Sequence, residues 1–158
     1  MSTVLPKVAL RGGGPGDMGL VSAIMAEAFD PAFGEAWTSA QCLGILSLPG
    51  VWLTLAFLDD VPAGFALSRA TLDEAELLLI ATRPAARRRG VGVRLLRMVT
   101  SESLRRGAKT LHLEVRAGNI AILLYESEGF AKVGQRSDYY RGKDGKLFDA
   151  HSFSRRLT

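Results

Sequence analysis

Apolar residues in the first fifty positions recur with the spacing of a strand followed by two helices. Residues 7–11 form a short β-rich run, and a glycine-rich loop follows it. Asp17 has a position typical of a helix N-cap, and the apolar residues after it recur every three or four positions as far as Ala28. Thr38, with Gln41 three residues later, has the pattern of a capping box and predicts a short second helix.

Three strands are predicted in the middle of the chain. The β-rich segments at 51–58 and 62–70 are separated by Asp59 and Asp60, which predicts a hairpin. Residues 76–82 are predicted to form the next strand. Because this segment is apolar on both faces, we expect it to lie in the centre of a sheet.

The second half of the chain alternates helices with strands. A helix is predicted over 91–106, with an apolar stripe and Gly107 just after its end. Asn119 is predicted to cap another helix that continues through Glu128. Strands are predicted at 110–115, 131–139 and 148–156. The predicted order is β-α-α-β-β-β-α-β-α-β-β, an α/β fold in which a mixed central sheet carries helices on both faces.

Length and composition are those of one globular domain. The 158 residues are 47% hydrophobic and 23% charged, which is too apolar for disorder, so we expect a single domain over 1–158. Cys42 is the only cysteine, which excludes an internal disulfide, and we expect it to be a small buried side chain. Because we find no signal peptide and no membrane-spanning segment, we expect a cytoplasmic protein.

Charge is distributed unevenly along the chain. Residues 1–76 carry 3 Lys/Arg and 9 Asp/Glu, whereas residues 77–158 carry 17 Lys/Arg and 7 Asp/Glu. An excess of positive charge in one half of a domain favours an anionic ligand there, either a phosphate-bearing cofactor or nucleic acid. A solvated basic surface produces the same imbalance, so charge alone does not choose between them.

A basic loop with two glycines stands between the central predicted strand and the long helix. It runs from Arg87 to Gly92, with three arginines followed by Gly-Val-Gly. Glycine lets the backbone approach a ligand closely, and the free N–H groups and positive dipole at a helix start favour a phosphate. The loop therefore predicts an anion cradle for a pyrophosphate. A basic helix start without a ligand is the alternative.

Two other phosphate-binding loops fit this sequence less well. The Walker pattern needs Lys and then Ser or Thr after its last glycine, where Val93 and Arg94 stand. The dinucleotide fingerprint needs a third Gly or Ala at the position of Leu95. That fingerprint also follows the first strand of its fold, whereas this loop comes in the middle of the chain.

Three further segments accompany the loop. They are Leu113–Asn119 (LEVRAGN), Leu124–Phe130 (LYESEGF) and Asp138–Tyr140 (DYY). Together with the pattern R-x-x-G-x-G that begins at Arg87, they resemble the GCN5-related N-acetyltransferases, and among these the ribosomal-protein-alanine N-acetyltransferases (RimI type). The resemblance covers about residues 76–150, with a looser match from Phe29 to Thr38.

The resemblance implies acetyl-CoA as co-substrate and a protein N-terminus as acceptor, in particular an alanine of a small-subunit ribosomal protein. It implies no nucleic acid, membrane or metal. The main chain of the central strand would hold the pantetheine arm, the loop would hold the pyrophosphate, and an asparagine after the next strand would touch the cofactor. These positions are Ile80, Ala81, Thr82, Arg87, Arg88, Arg89, Gly90, Val91, Gly92, Val93 and Asn119.

The resemblance also implies a general base at Glu114 and a general acid at Tyr125. An amine must lose a proton before it attacks a thioester, and a carboxylate can accept that proton. The departing thiolate needs a proton, which a phenol can donate, and no acyl-enzyme is required. Without the resemblance, a glutamate on a strand face is typical of a solvated side chain, and a tyrosine among leucines is typical of a core residue.

One spacing departs from the family pattern. Tyr125 follows Asn119 by six positions, where the family usually has seven, while the spacing from Tyr125 to Gly129 is unchanged. We therefore expect a shortened loop that alters the contact of Asn119 with the cofactor rather than the place of Tyr125. Val93 stands where a basic residue is common in the family.

Three alternatives remain open from the sequence. The acceptor could be another amine, such as a lysine, an amino acid or an antibiotic. The second alternative, which the basic second half suggests, is a non-enzymatic module that binds the ribosome or nucleic acid. A family member that binds acetyl-CoA as a sensor is the third alternative. The sequence does not indicate an oligomeric state.

Overall fold

The computed structural model describes residues 7–158. The described strands are β1 (Val8–Gly13), β2 (Val51–Leu58), β3 (Val61–Thr71), β4 (Glu74–Thr82), β5 (Thr110–Arg116), β6 (Ala131–Arg141) and β7 (Leu147–Arg156). The described α-helices are α1 (Met18–Ala28), α2 (Ser39–Leu46), α3 (Val91–Arg105) and α4 (Ala121–Ser127). Strands and helices follow each other in the order that the sequence predicts, so the predicted fold class is confirmed.

The described strands form one mixed sheet with the order β1-β2-β3-β4-β5-β7-β6. Strands β1 to β4 are antiparallel neighbours, and β5, β7 and β6 are antiparallel as well. Strands β4 and β5 are parallel, because the crossover through α3 returns the chain to the same end of the sheet. The strand predicted to be central, β4, therefore lies in the middle of the sheet.

Helices cover both faces of this sheet. Neighbouring residues of a strand point to opposite faces, and accordingly Phe65 packs with α1 and α2 while Ala66 packs with α3. Cys42 is buried in the first of these clusters, as predicted. Every helix among the described residues is too short or too polar to cross a membrane.

The two predicted helix starts in the first half have different outcomes. Thr38 and Gln41 form the predicted capping box, with hydrogen bonds of 3.1 Å and 2.8 Å. Asp17 occupies the predicted N-cap position of α1, but its side chain makes no capping hydrogen bond, because its carboxylate instead accepts the N–H of Gly14 at 2.9 Å and pairs with Arg11. A single 3-10 turn just before α1 directs the Asp17 side chain backwards, which the sequence pattern does not reveal.

Strands β4 and β5 are paired only over the first four residues of β4, from Glu74 to Leu77. Immediately afterwards the β3–β4 register shifts and leaves Leu78 without a partner in β3, which is a β-bulge. Strand β5 keeps its pairing with β7 as far as Arg116. The sheet therefore divides at this point, and we call the gap between the diverging strands the β4–β5 wedge.

Candidate active site

A cavity of about 560 Å³ occupies the β4–β5 wedge. Its side walls are residues 77–82 of β4 and 113–116 of β5, and the loop between α1 and α2 contributes a third wall. The predicted site residues that line it are Ile80, Ala81, Thr82, Arg87, Gly92, Glu114, Asn119 and Tyr125. The other predicted residues, Arg88, Arg89, Gly90, Val91 and Val93, lie on the loop before α3 and on its first turn.

The start of α3 presents main-chain N–H groups that have no acceptor among the described residues. Gly90 has φ 81°, in the left-handed region where glycine is favoured. The first turn of α3 begins with a hydrogen bond of 3.1 Å from Arg94 N–H to the carbonyl of Gly90. Among residues 7–158, the N–H groups from Arg88 to Val93 have no main-chain acceptor. Free N–H groups at the positive end of a helix dipole can bind an anion such as a phosphate.

The three arginines of the loop make different contacts. Arg87 lines the cavity, and its guanidinium donates to the carbonyl oxygen of Ala28 at 3.0 Å. Arg88 and Arg89 are exposed and form no ion pair with any residue in the described range. Their charges are therefore available to an anion at the start of α3.

The inner edge of β4 is also available to a ligand. Ile80, Ala81 and Thr82 pair with β3 on one side, whereas no described strand pairs with them on the side that faces β5. Unpaired strand edges hydrogen-bond extended ligands as an added strand. An extended molecule that carries amide groups and ends in a diphosphate therefore fits the wedge and the start of α3 together.

Glu114 lies on β5 with its carboxylate at the cavity. It is on the face opposite the buried Leu113 and Val115, as the alternation predicts. Its Oε1 accepts the Nε–H of Arg136 at 3.1 Å, and its Oε2 accepts the hydroxyl of Ser152 at 2.7 Å. The Glu114 side chain is 19% exposed, so this carboxylate is held by the protein rather than simply solvated.

Tyr125 is a buried residue of α4 whose side chain reaches the cavity wall. Its ring packs edge-to-face against Phe130, with 6.0 Å between the centroids. Burial, and then the nearby charge of Glu35, raise the pKa of the Tyr125 phenol well above its ordinary value. The phenol therefore keeps its proton at any neutral or moderately alkaline pH. It combines the core position expected of a tyrosine among leucines with access to the cavity.

Asn119 connects three parts of the site. Its Oδ1 accepts the N–H of Ala121 at 2.9 Å, just before α4 begins, and its Nδ2 donates to Glu35 at 2.9 Å. The helix thus starts one residue later than the sequence predicts, with Asn119 bonded to its first residue. The side-chain oxygen and one amide hydrogen of Asn119 already have partners within the protein.

The sequence did not single out Glu35, which organises the loop between α1 and α2. Besides Asn119, its carboxylate binds Arg116 Nε at 3.2 Å. The Arg116 guanidinium in turn lies 3.7 Å from the ring centroid of Phe33. The only signal in the sequence is a charged residue within the loosely matched segment from Phe29 to Thr38.

A second glutamate that the sequence did not single out, Glu76, lines the cavity from β4. Loss of hydration, and then the charge of Glu114, raise the pKa of the Glu76 carboxyl group. Its signal in the sequence is a charged residue at the start of an apolar strand. Residues 7–158 contain no cluster of three or more His, Cys, Asp or Glu side chains placed to hold a metal ion.

Two loops pack closely at the mouth of the cavity. A Cβ on Gly34 would lie 1.9 Å from the carbonyl oxygen of Arg141, and one on Gly142 would lie 1.9 Å from that of Ala32. Lys143 N–H also donates to the Pro31 carbonyl at 3.0 Å. The α1–α2 loop and the β6–β7 turn therefore touch through their backbones, and Tyr139 and Tyr140 line the cavity just before this turn.

The chain is similar to curated proteins named ribosomal protein bS18-alanine N-acetyltransferase. It is 47% identical to the Escherichia coli (strain K12) protein over 85 residues, which are 53% of this chain and 57% of that protein. It is 48% identical to the Salmonella typhimurium protein over 88 residues, which are 55% of this chain and 60% of that protein. These matches therefore span less than two thirds of the relatives' length.

The fold is similar to that of solved acetyltransferases. The crystal structure of the ribosomal-protein-S18-alanine N-acetyltransferase from Escherichia coli has a TM-score of 0.85 and 31% identity, and covers 96% of this chain and 95% of that one. Ard1 from Thermoplasma volcanium has a TM-score of 0.79 over 96% of this chain and 98% of that one. At 24% identity, this second likeness shows the fold alone.

The sequence pattern of the acetyltransferase (GNAT) family, whose co-substrate is acetyl-CoA, matches residues 20–130. This match covers well over half of the chain and includes the loop at Arg87 and the segments around Glu114 and Tyr125. The resemblance inferred from those residues is confirmed, and the chain belongs to the acetyltransferase (GNAT) family.

Proposed function

We propose that this protein transfers the acetyl group of acetyl-CoA to the N-terminal amino group of a protein, namely an alanine of a small-subunit ribosomal protein. Membership in an acetyltransferase family supports the reaction and the co-substrate. The names of the similar bacterial proteins support the acceptor. A single domain over 1–158 and a cytoplasmic location stay predictions.

The observation that carries this proposal is the run of main-chain N–H groups from Arg88 to Val93 without a main-chain acceptor in the described range. We assign these groups to the diphosphate of coenzyme A, with added charge from Arg88 and Arg89. The unpaired edge of β4 at residues 80–82 would hold the pantetheine arm. When bound in this way, acetyl-CoA supplies an activated thioester at the cavity.

We assign the acceptance of the amine proton to Glu114. An N-terminal amine is largely an ammonium ion at neutral pH, so it must lose a proton before it can attack. The Glu114 carboxylate lines the cavity, and donors from Arg136 and Ser152 fix its orientation. It can accept the proton directly or through a water molecule.

We assign proton donation to Tyr125. A group that protonates a departing thiolate must still carry its proton when the amine has lost one. The raised pKa of Tyr125 satisfies that condition. Its packing against Phe130 fixes the orientation of the ring beside the cavity.

Asn119 has a more limited role in this proposal. Its contacts with Ala121 and Glu35 position the start of α4 and the covering loop. It can touch the cofactor only through the amide hydrogen that these contacts leave free. This arrangement agrees with the shortened spacing between Asn119 and Tyr125.

Calorimetry with coenzyme A tests the cradle. Gly90→Val should weaken binding by at least tenfold, because a side chain would stand beside the N–H groups and strain the left-handed backbone. Gly12→Val is the matched control, since a Cβ there meets nothing within 4 Å. Equal affinity in both variants would place the diphosphate elsewhere. Failure of the unmodified protein to bind coenzyme A, together with salt-sensitive RNA binding, would favour the nucleic-acid-binding alternative.

Mass spectrometry after incubation with acetyl-CoA tests the acceptor. A peptide with a free N-terminal alanine should gain one acetyl group, and the same peptide with a blocked N-terminus and an internal lysine should gain none. Acetylation of the lysine alone, or of free amino acids alone, would contradict the proposed acceptor and leave the acetyltransferase reaction in place.

A further inference from the structure

Ser152 holds the Glu114 carboxylate from the neighbouring strand. The two residues are directly opposite each other in the β5–β7 register. Ser152 Oγ donates to Glu114 Oε2 at 2.7 Å, while Arg136 Nε donates to Oε1 at 3.1 Å. Each carboxylate oxygen therefore has one donor, and the plane of the carboxylate is fixed.

The two donors differ in how firmly they hold the carboxylate. The Arg136 side chain is 64% exposed, and exposed ion pairs of long side chains contribute little. The hydrogen bond from Ser152 is partly buried, short and charge-assisted. Its donor is attached to a strand by a single side-chain carbon. Ser152 is therefore the donor that determines the orientation of Glu114.

Hydrophobic packing sets the position of Ser152. The neighbouring cross-strand pair, Leu113 and Phe153, points into the core, where these residues are 2% and 3% exposed. A slip of one residue in the β5–β7 register would turn this pair out of the core. The hydroxyl thus faces Glu114 because of the fold itself, before any substrate binds.

The nearby carboxyl group of Glu76 makes this donor important. Two carboxyl groups in one cavity compete to be ionised, and the charge of Glu114 raises the pKa of Glu76. Among residues 7–158, Glu114 has two hydrogen-bond donors while no side-chain donor reaches Glu76. The other charged or titratable side chains that act on Glu76 are His112, Arg136 and Arg69. Glu76 is therefore the member of the pair whose pKa is raised, and Glu114 is the member held by hydrogen-bond donors.

We propose that Ser152 is a positioning residue, whose hydroxyl orients the Glu114 carboxylate so that it can accept the proton of the acceptor amine. This inference rests on the proposed role of Glu114 as the general base. Ser152 acts through Glu114 and does not itself take part in proton transfer.

Steady-state kinetics of three serine variants tests the inference. Ser152→Ala should lower kcat about tenfold, because the carboxylate loses its fixed orientation, with an unchanged KM for acetyl-CoA. Ser152→Thr keeps the hydroxyl and should restore kcat. Ser154→Ala is the matched control, because Ser154 lies on the same strand opposite His112 and forms no hydrogen bond with Glu114. Its kcat should stay within about twofold of the unmodified protein.

The same substitution in a Glu114→Gln background separates this inference from the proposed function. If Ser152 acts through Glu114, Ser152→Ala should cause no further loss there. A further tenfold loss in that background, or an unchanged kcat in the single variant, would overturn the positioning role and leave Glu114 as the base. Full activity of Glu114→Gln would instead remove the base assignment, and the role of Ser152 with it.

Discussion

Glu35 and Arg116 form an ion pair that is almost withdrawn from solvent, with 3.2 Å between Oε1 and Nε and side-chain exposures of 11% and 13%. The other oxygen of Glu35 accepts a hydrogen bond from Asn119. A single carboxylate therefore ties the loop between α1 and α2 to the end of β5 and the start of α4.

We expect Glu35→Gln to lower the free energy of unfolding by about 3 kcal/mol, because Arg116 would keep a buried charge without its counter-ion. Urea unfolding followed by circular dichroism measures this. Glu27→Gln is the matched control, because Glu27 also pairs with an arginine but this pair is exposed: the Arg83 side chain is 33% exposed and that of Glu27 is 47% exposed. This variant should lower the free energy of unfolding by less than about 1 kcal/mol. Equal losses in the two variants would mean that burial does not strengthen the Glu35 pair.

The packing of the two loops at the cavity mouth predicts that Gly34→Ala is destabilising. The added methyl group would lie 1.9 Å from the Arg141 carbonyl oxygen, and φ is 69° at this residue. We expect a loss of about 1–3 kcal/mol, measured by thermal unfolding. Gly44→Ala should instead gain up to about 1 kcal/mol, because Gly44 is inside α2 and a Cβ there meets nothing within 4 Å. If Gly34→Ala unfolds at the original temperature, the loops are not in close contact in solution.

Tyr125→Phe should lower kcat by about ten- to a hundredfold and leave the KM for acetyl-CoA and the melting temperature nearly unchanged. The phenyl ring keeps its contact with Phe130, so that the only group lost is the hydroxyl. Tyr139→Phe removes a hydroxyl from a half-exposed tyrosine of the same cavity and should have a much smaller effect on kcat.

The pH profile of the unmodified protein provides an independent test of the Tyr125 assignment. A raised pKa means that the folded protein retains the phenolic proton above pH 10, where a free tyrosine loses it. Up to about pH 10, activity should therefore show no alkaline decline caused by this group. A decline near pH 9 that disappears in Tyr125→Phe would contradict the raised pKa of Tyr125, whereas a decline near pH 9 that persists in Tyr125→Phe would come from another group.

The combined replacement of Arg88 and Arg89 by alanine should raise the KM for acetyl-CoA about tenfold at low ionic strength. Both side chains are exposed, so the difference from the unmodified protein should shrink in about 0.5 M salt as their charges are screened. Arg105→Ala removes an exposed arginine from the opposite end of α3, where it pairs with Glu102, and should leave this KM unchanged. An identical rise in all variants would indicate a general charge effect rather than a local one.

Local patterns in the sequence were sufficient to predict the fold, the strand face that carries Glu114 and the helix start at Gly90. Alternation along β5 placed Glu114 opposite Leu113, and Gly90 marked the helix start that offers free N–H groups. The capping box at Thr38 was found because both of its partners lie within four residues. Each of these features depends on neighbours in the chain, which the sequence shows directly.

The contacts that shape the rest of the site join distant parts of the chain. Glu35 meets Arg116 across 81 positions, and Ser152 meets Glu114 across 38. Such pairs exist only once the sheet register and the path of the loops are known. The prediction that the Asp17 side chain caps α1 was wrong for a related reason. A favourable cap residue has more than one main-chain N–H within reach, and Asp17 bonds the N–H of Gly14 instead.

The interrupted pairing of β4 with β5 has a mechanical consequence. The strand order places β1 to β4 on one side of this seam and β5, β7 and β6 on the other, joined through the sheet by only four residue pairs. A molecule bound along the open edge of β4 would restrict the motion of one half of the sheet relative to the other. The hairpin of β6 and β7, which carries Ser152, would then become more rigid when the wedge is filled, although the bound molecule need not touch it.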